Sequence, residues 1–205
     1  MIGIRNIIFD LGGVILNIDF SLTAKAFNEL GVEDFAKNFT QFHHTSFFQD
    51  YETGKIDDAS FIKGIQSLSS KPLSEIEVIN AWNALLLDFP EERIALLKQL
   101  KIKYRLFLLS NTNAIHLVAF QKRFHALTGG YLEDLFEKTY YSHAVGMRKP
   151  SEEIYQLVVN ENKLVPGETL FVDDTAANFL GSEKIGLRSA HVAAPKTILD
   201  LGLLL

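Results

Sequence analysis

Four short apolar runs, each stopped abruptly by a polar residue, constrain this chain more than any other feature. Ile4 to Phe9 stops at Asp10, Tyr104 to Leu109 at Ser110-Asn111, Thr139 to Tyr141 at Ser142, and Leu170 to Val172 at Asp173-Asp174. Continuous apolar runs of this length suit strands buried on both faces, as in a parallel sheet. Helical patterns separate them: Ile94, Leu97 and Leu100 behind the proline-and-acid start Pro90-Glu91-Glu92, then Ile115, Val118 and Ala119, then Ile154, Leu157 and Val158. Strands and helices in alternation predict an α/β fold with a doubly wound, mostly parallel sheet.

Residues 17–88 break that rhythm. Phe20, Ala24, Phe27 and Leu30 recur at helical spacing and are stopped by Gly31; Phe61, Ile65 and Leu68 make a second helical face, and Val78, Trp82 and Leu85 a third. Phe35 to Gly54 is aromatic-rich with weak periodicity and is also expected to be helical. The economical organisation is an α/β core of residues 1–16 and 89–205, with an all-helical module, 17–88, inserted after the first strand.

Composition removes several function classes. With 20 Lys and Arg against 25 Asp and Glu, a net charge of −5 argues against nucleic-acid binding through a broad basic surface. There is no cysteine, so disulfide frameworks, thiolate metal sites and cysteine nucleophiles are out. No segment offers the ~18 uninterrupted apolar residues of a membrane span, and Asp10 with Gly12-Gly13 interrupts the first apolar run too early for a signal-peptide core. A cytoplasmic protein, monomeric or alternatively dimeric, is the expectation.

In an open parallel sheet, ligands bind beyond the carboxyl ends of the strands. That rule gathers Asp10, Ser110-Asn111, the loop carrying Lys149, and Asp173-Asp174 at one edge. Singly, each residue is better explained as a helix cap, a turn former or a surface lysine; together they carry a chemistry. Clustered carboxylates repel unless a cation neutralises them, and all-oxygen donors suit Mg²⁺. A lone lysine beside them suits an anion that would otherwise be repelled. Acids, a hard cation, a lysine and helix N-termini describe a phosphate site.

Four motifs in this order resemble the haloacid dehalogenase-like hydrolases: Ile7-Ile8-Phe9-Asp10-Leu11-Gly12-Gly13-Val14, Leu108-Leu109-Ser110-Asn111-Thr112, Gly146-Met147-Arg148-Lys149-Pro150, and Phe171-Val172-Asp173-Asp174-Thr175-Ala176-Ala177-Asn178. The helical insertion is similar to a subfamily I cap. In detail the motifs look most like bacterial sugar-phosphate phosphatases, such as those acting on alpha-D-glucose 1-phosphate. The resemblance implies a phosphatase of small phosphorylated metabolites in which Asp10 attacks phosphorus and forms an aspartyl-phosphate. It implies Mg²⁺ held by Asp10, the Gly12 carbonyl and Asp174, with Asp173 a ligand or a support. Ser110 and Asn111 would donate to the phosphoryl oxygens, Lys149 would offset charge on nucleophile and phosphate, and Asn178 would orient the metal site or begin a helix.

One departure matters. Most phosphatases of this family carry an aspartate two residues after the nucleophile, as acid for the leaving group; here Gly12 stands there. Proton transfer of that kind is worth ~10²–10⁴-fold in rate. A phosphate-binding protein without efficient turnover therefore stands as an alternative, followed by a phosphomutase. A 2-haloacid dehalogenase, which needs no metal, leaves the paired Asp173-Asp174 without a purpose. The cap closes over such a site and chooses the substrate, and its polar candidates are His43, His44, Gln49, Tyr51 and Glu52. Phe47 and Phe48 are candidate walls of that site; Phe35, Phe39, Phe42 and Trp82 are expected in the cap core, and His116 and His125 on a core helix or its exposed face.

Overall fold

Ile7, Ile8 and Phe9 are wholly buried and, with Asn6, form strand β1 (Asn6–Phe9) of the computed structural model, which describes residues 3–32, 35 and 46–204. The strand lies between β2 (Arg105–Ser110) and β4 (Thr169–Asp173), with β3 (Lys138–Tyr141) outside β2 and β5 (Arg188–His191) outside β4. All four pairings are parallel, in the order β3-β2-β1-β4-β5. Side chains alternate between the two sheet faces. Ile8, Phe107, Leu109 and Phe171 pack with Ile154, Tyr155 and Val158, while Ile7, Phe9, Leu106, Leu108, Leu170 and Val172 face the larger cluster on the other side.

Two sequence expectations differ from this structure. β5 was absent from the apolar pattern, because Arg188, Ser189 and His191 are exposed on an edge strand that pairs on one side only. Val118 and Leu68, expected on buried helix faces, are 69% and 54% exposed. In the helix that follows β2, the larger Phe120 and Phe124 join Ile115 and His116 inside.

Between Asn17 and Asp88 the described residues contain the helices α1 (Phe20–Glu29), α2 (Ser46–Glu52), α3 (Asp58–Leu68) and α4 (Glu75–Trp82), and no named strand. The two ends of this segment are tied together: Asn17 N–H donates to the Asp88 carbonyl, Leu87 N–H to the Asn17 carbonyl, and Asn17 Nδ2 to Asp88 Oδ1 at 3.1 Å. Asp19, Asp57 and Ser74 cap α1, α3 and α4, which fixes where each helix begins. Phe27, Phe35, Phe61 and Trp82 are buried in this segment as expected, and Phe48 is buried with them; Phe39, Phe42, His43 and His44 lie outside the described residues.

The remaining helices are α5 (Glu91–Lys103), α6 (Ala114–Thr128), α7 (Ser142–Val145), α8 (Glu152–Asn162) and α9 (Phe179–Lys184). The segment 17–88 is seated firmly on α6. Trp82 stacks on His116 with centroids 4.8 Å apart, and its Nε1 donates to Asn113 Oδ1 at 3.2 Å. Burial pushes the His116 imidazole down to about 3, so it sits there neutral. No helix among the described residues is long and apolar enough to cross a membrane.

Candidate active site

Register builds the site. Phe9 pairs with Leu108 on one side and Val172 on the other, so Asp10 and Asp173, the next residues, stand side by side at the carboxyl edge. Asp10 N–H still donates to the Val172 carbonyl at 2.9 Å, which holds the first residue beyond the strand in line. Lys149, 1% exposed, reaches between these two acids: its Nζ lies 2.8 Å from Asp10 Oδ1 and 2.6 Å from Asp173 Oδ2. Its backbone is clamped by Asn111, whose Oδ1 accepts from Lys149 N at 2.9 Å and whose Nδ2 donates to the Lys149 carbonyl at 3.0 Å.

The electrostatics are those of anions forced together. Burial pushes the Asp10 carboxyl up to about 8; Lys149 draws it down, and Asp173 and Asp174 push it further up. Asp174 is also raised, by burial first and by Asp173 second. Burial alone would lower the Lys149 ammonium, but the charges of Asp10 and Asp173 outweigh it and hold the group above the ordinary lysine range.

One carboxylate oxygen from each of Asp10, Asp173 and Asp174 can be chosen so that all three lie within 4.8 Å of one another. An all-oxygen donor set of that size fits a hard divalent cation. The three acids are not equivalent. Asp173 is fully buried and its oxygens accept from Thr175 N (2.8 Å), Asn178 Nδ2 (2.9 and 3.0 Å) and Lys149 Nζ (2.6 Å). Those bonds occupy it as a holder of Lys149 and Asn178. Asp10 and Asp174 both line the cavity. Asn178 thus acts on the site through Asp173, and α9 begins directly after it.

The cavity at this edge measures about 120 Å³ and is lined by Asp10, Gly12, Ile18, Phe20, Glu52, Asn111, Arg148, Lys149, Asp174, Thr175 and Asn178. Ser110 is buried at the end of β2 and does not line it; Asn111 does. A Cβ at Gly12 would come within 2.9 Å of Ile18 Cδ1, so an isoleucine methyl borders the place of the missing acid. Gly13 has φ +71°, and a Cβ there would overlap the Asp174 carboxylate.

Among the described residues, Glu52 is the one expected cap contact that lines this cavity; His43 and His44 lie outside them. Gln49 is exposed on α2. Tyr51 points elsewhere: its hydroxyl donates to Asp58 Oδ1 at 2.7 Å and accepts from Ile115 N at 3.4 Å, which makes it a clamp between α2, α3 and α6. Successive residues on a helix lie about 100° apart, so Tyr51 and Glu52 serve different surfaces. Arg148, quoted in a motif without a role, pairs with Glu52 at 3.0 Å.

The family model described as haloacid dehalogenase-like hydrolase matches residues 4–186. The chain belongs to that family. It is 32% identical over 186 residues, 91% of this chain and 90% of the relative, to the D-ribitol-5-phosphate phosphatase of Bacteroides thetaiotaomicron. A sesquiterpene phosphatase of Aspergillus oryzae is 28% identical over 191 residues, 90% of this chain and 88% of its own. Among solved structures, a family enzyme of Bacteroides thetaiotaomicron in complex with magnesium and inorganic phosphate superposes with a TM-score of 0.89 at 34% identity, over 98% of this chain and all of its own. A dehalogenase at 18% identity and TM-score 0.61 shares the fold alone.

Proposed function

We propose that this hydrolase is a Mg²⁺-dependent phosphatase of a small phosphorylated sugar or polyol, working through an aspartyl-phosphate on Asp10. The observation that carries this reading is Lys149, buried between Asp10 and Asp173 at 2.8 and 2.6 Å beside the third acid, Asp174. A fixed ammonium and a divalent-ion donor set let a carboxylate approach a phosphate dianion, which mutual repulsion otherwise forbids. The relatives named as phosphatases, and the neighbour that binds magnesium with phosphate, support the same reading.

In this scheme a free Asp10 oxygen attacks phosphorus as the bond to the leaving oxygen breaks, and the leaving oxygen takes its proton from solvent, Gly12 having no acid to give. Water then attacks the same phosphorus, releasing hydrogen phosphate and one proton and restoring the Asp10 carboxylate. Lys149 holds Asp10 in line and faces the charge that grows on the phosphoryl oxygens, while Asn111 offers its second amide N–H. Asp10, Asp174 and, by the family resemblance, the Gly12 carbonyl would hold Mg²⁺, which supplies charge neutralisation when bound. Asp173 fixes Lys149 rather than the ion. Residues 17–88, pinned at Asn17 and Asp88, serve as the cap over the core of 1–16 and 89–205.

Inorganic phosphate should be released from polyol and sugar phosphates in the presence of Mg²⁺, and release should stop when EDTA is in excess. Turnover that survives thorough chelation eliminates the metal-assisted scheme. The Ile18 methyl near Gly12 favours one rival, a protein that binds phosphate without turnover. Tight binding of beryllium fluoride with no ester hydrolysed would select that rival.

Gly13→Ala tests the donor geometry. A left-handed non-glycine residue costs about 1–3 kcal/mol, and the added methyl displaces Asp174. Displacements near 1 Å at a reacting centre lower rates by about 10²-fold. We expect a kcat loss of that order and a higher Mg²⁺ requirement, read from activity against metal concentration.

A further inference from the structure

We propose that Glu52, held by Arg148, reads the leaving group: its carboxylate accepts hydrogen bonds from the hydroxyls of a neutral polyol and repels a second anionic group. This deepens the phosphatase reading and rests on it. Among the described residues, Glu52 is the one carboxylate lining the catalytic cavity that is outside the cluster of Asp10, Asp173 and Asp174. It comes from α2, not from the sheet edge, so it faces whatever the phosphate is attached to.

Three features make it a reader rather than a surface charge. First, it is 6% exposed, and the Arg148 guanidinium 3.0 Å away fixes its orientation. An ionised carboxylate is an acceptor only, which matches hydroxyl donors and rejects anions. Second, its helix is immobilised: the Tyr51 hydroxyl binds Asp58 and the Ile115 amide, and the His143 carbonyl leaves no room for a side chain at Gly54. Third, Ile18 and Phe20 line the same cavity, so an apolar surface is available for the carbon faces of a polyol while Glu52 takes its hydroxyls. Ile18 and Phe20 also line an adjoining cleft of about 710 Å³, which has room for a leaving group that a 120 Å³ cavity does not.

The test compares ribitol 5-phosphate with n-pentyl phosphate, two primary alkyl esters of equal chain length that differ in hydroxyls. The wild-type enzyme should prefer the polyol ester in kcat/KM. Hydrogen bonds to a charged group are worth about 10- to 100-fold, so Glu52→Ala should reduce that preference at least about tenfold, mainly through KM. Glu52→Gln keeps an acceptor oxygen without the charge: it should retain part of the preference and gain relative activity on a pentitol bisphosphate. Arg148→Met, which removes the guanidinium that orients the carboxylate, should weaken the preference too. If Glu52→Ala does not fold, the Gln and Met variants decide.

Equal losses on both esters would overturn the proposal, because a cap latch or a proton donor acts on every alkyl leaving group alike. An unchanged preference overturns it as well. Either result leaves the phosphatase reading standing, whereas a wild-type protein that hydrolyses neither ester, nor p-nitrophenyl phosphate, removes both.

Discussion

Asp10→Asn is expected to abolish turnover, by at least about 10³-fold in kcat, with no loss of thermal stability. The size follows from covalent catalysis: removing a nucleophile removes the route, not one of several contributions to it. The amide has nearly the shape of the carboxylate but no anionic oxygen to attack phosphorus. The fold does not depend on the charge. Lys149 keeps Asp173 as a partner at 2.6 Å, and the repulsion of Asp10 by Asp173 and Asp174 is relieved. The direct check is acid-quenched labelling with a phosphate-labelled substrate: the wild type should carry an acid-stable acyl-phosphate in the first turnover, and Asp10→Asn none. A variant that retains more than a small fraction of wild-type kcat would point to water attacking phosphorus directly, with Asp10 reduced to a metal ligand.

Much of this architecture is legible in the sequence because it sits where both sheet faces are covered. Ile7-Ile8-Phe9 and Leu170-Phe171-Val172 have no solvent side, so burial writes them as unbroken apolar runs, and the polar residues that end them mark the edge that carries the candidate site. β5 has no such signature, since one ladder of backbone hydrogen bonds makes it a strand whatever its side chains. The site divides the same way. Asp10, Lys149, Asp173 and Asp174 are placed by strand ends, which periodicity locates. Glu52 and Arg148 meet only because α2 docks on α7 and α6 at one angle, set by Tyr51 and Gly54. No local pattern in Phe35 to Gly54 encodes that angle. Tyr51, a polar-tipped aromatic in the cap, looked as suited to ligand as Glu52 does; its hydroxyl is instead taken by Asp58.

Lys149→Met should damage both stability and chemistry, and the two losses should respond differently to magnesium. The lysine is enclosed, and its ammonium is the cation that touches both Asp10 and Asp173. Methionine fills a similar volume but leaves two neighbouring carboxylates desolvated without a counter-charge. Breaking a buried pair this way costs about 3–5 kcal/mol. For a domain of this size that is a fall of roughly 6–20 °C in Tm. Activity should fall about 10²–10³-fold, the usual loss when one preorganised charge facing the transferring group is removed. Added Mg²⁺ re-neutralises Asp10 and should therefore raise the Tm of Lys149→Met more than that of the wild type. It should not restore the rate, because an ion held by Asp10 and Asp174 would not replace the Lys149 ammonium as a fixed charge facing the phosphoryl oxygens. Lys149→Arg sharpens the point: it keeps the charge, but its planar fork cannot take the place of a point charge set between Asp10 and Asp173, so it should recover part of the stability and little of the rate. A Lys149→Met protein with wild-type Tm in metal-free buffer would show that the acids are already protonated or solvated, and that the ammonium does not hold this sheet edge together.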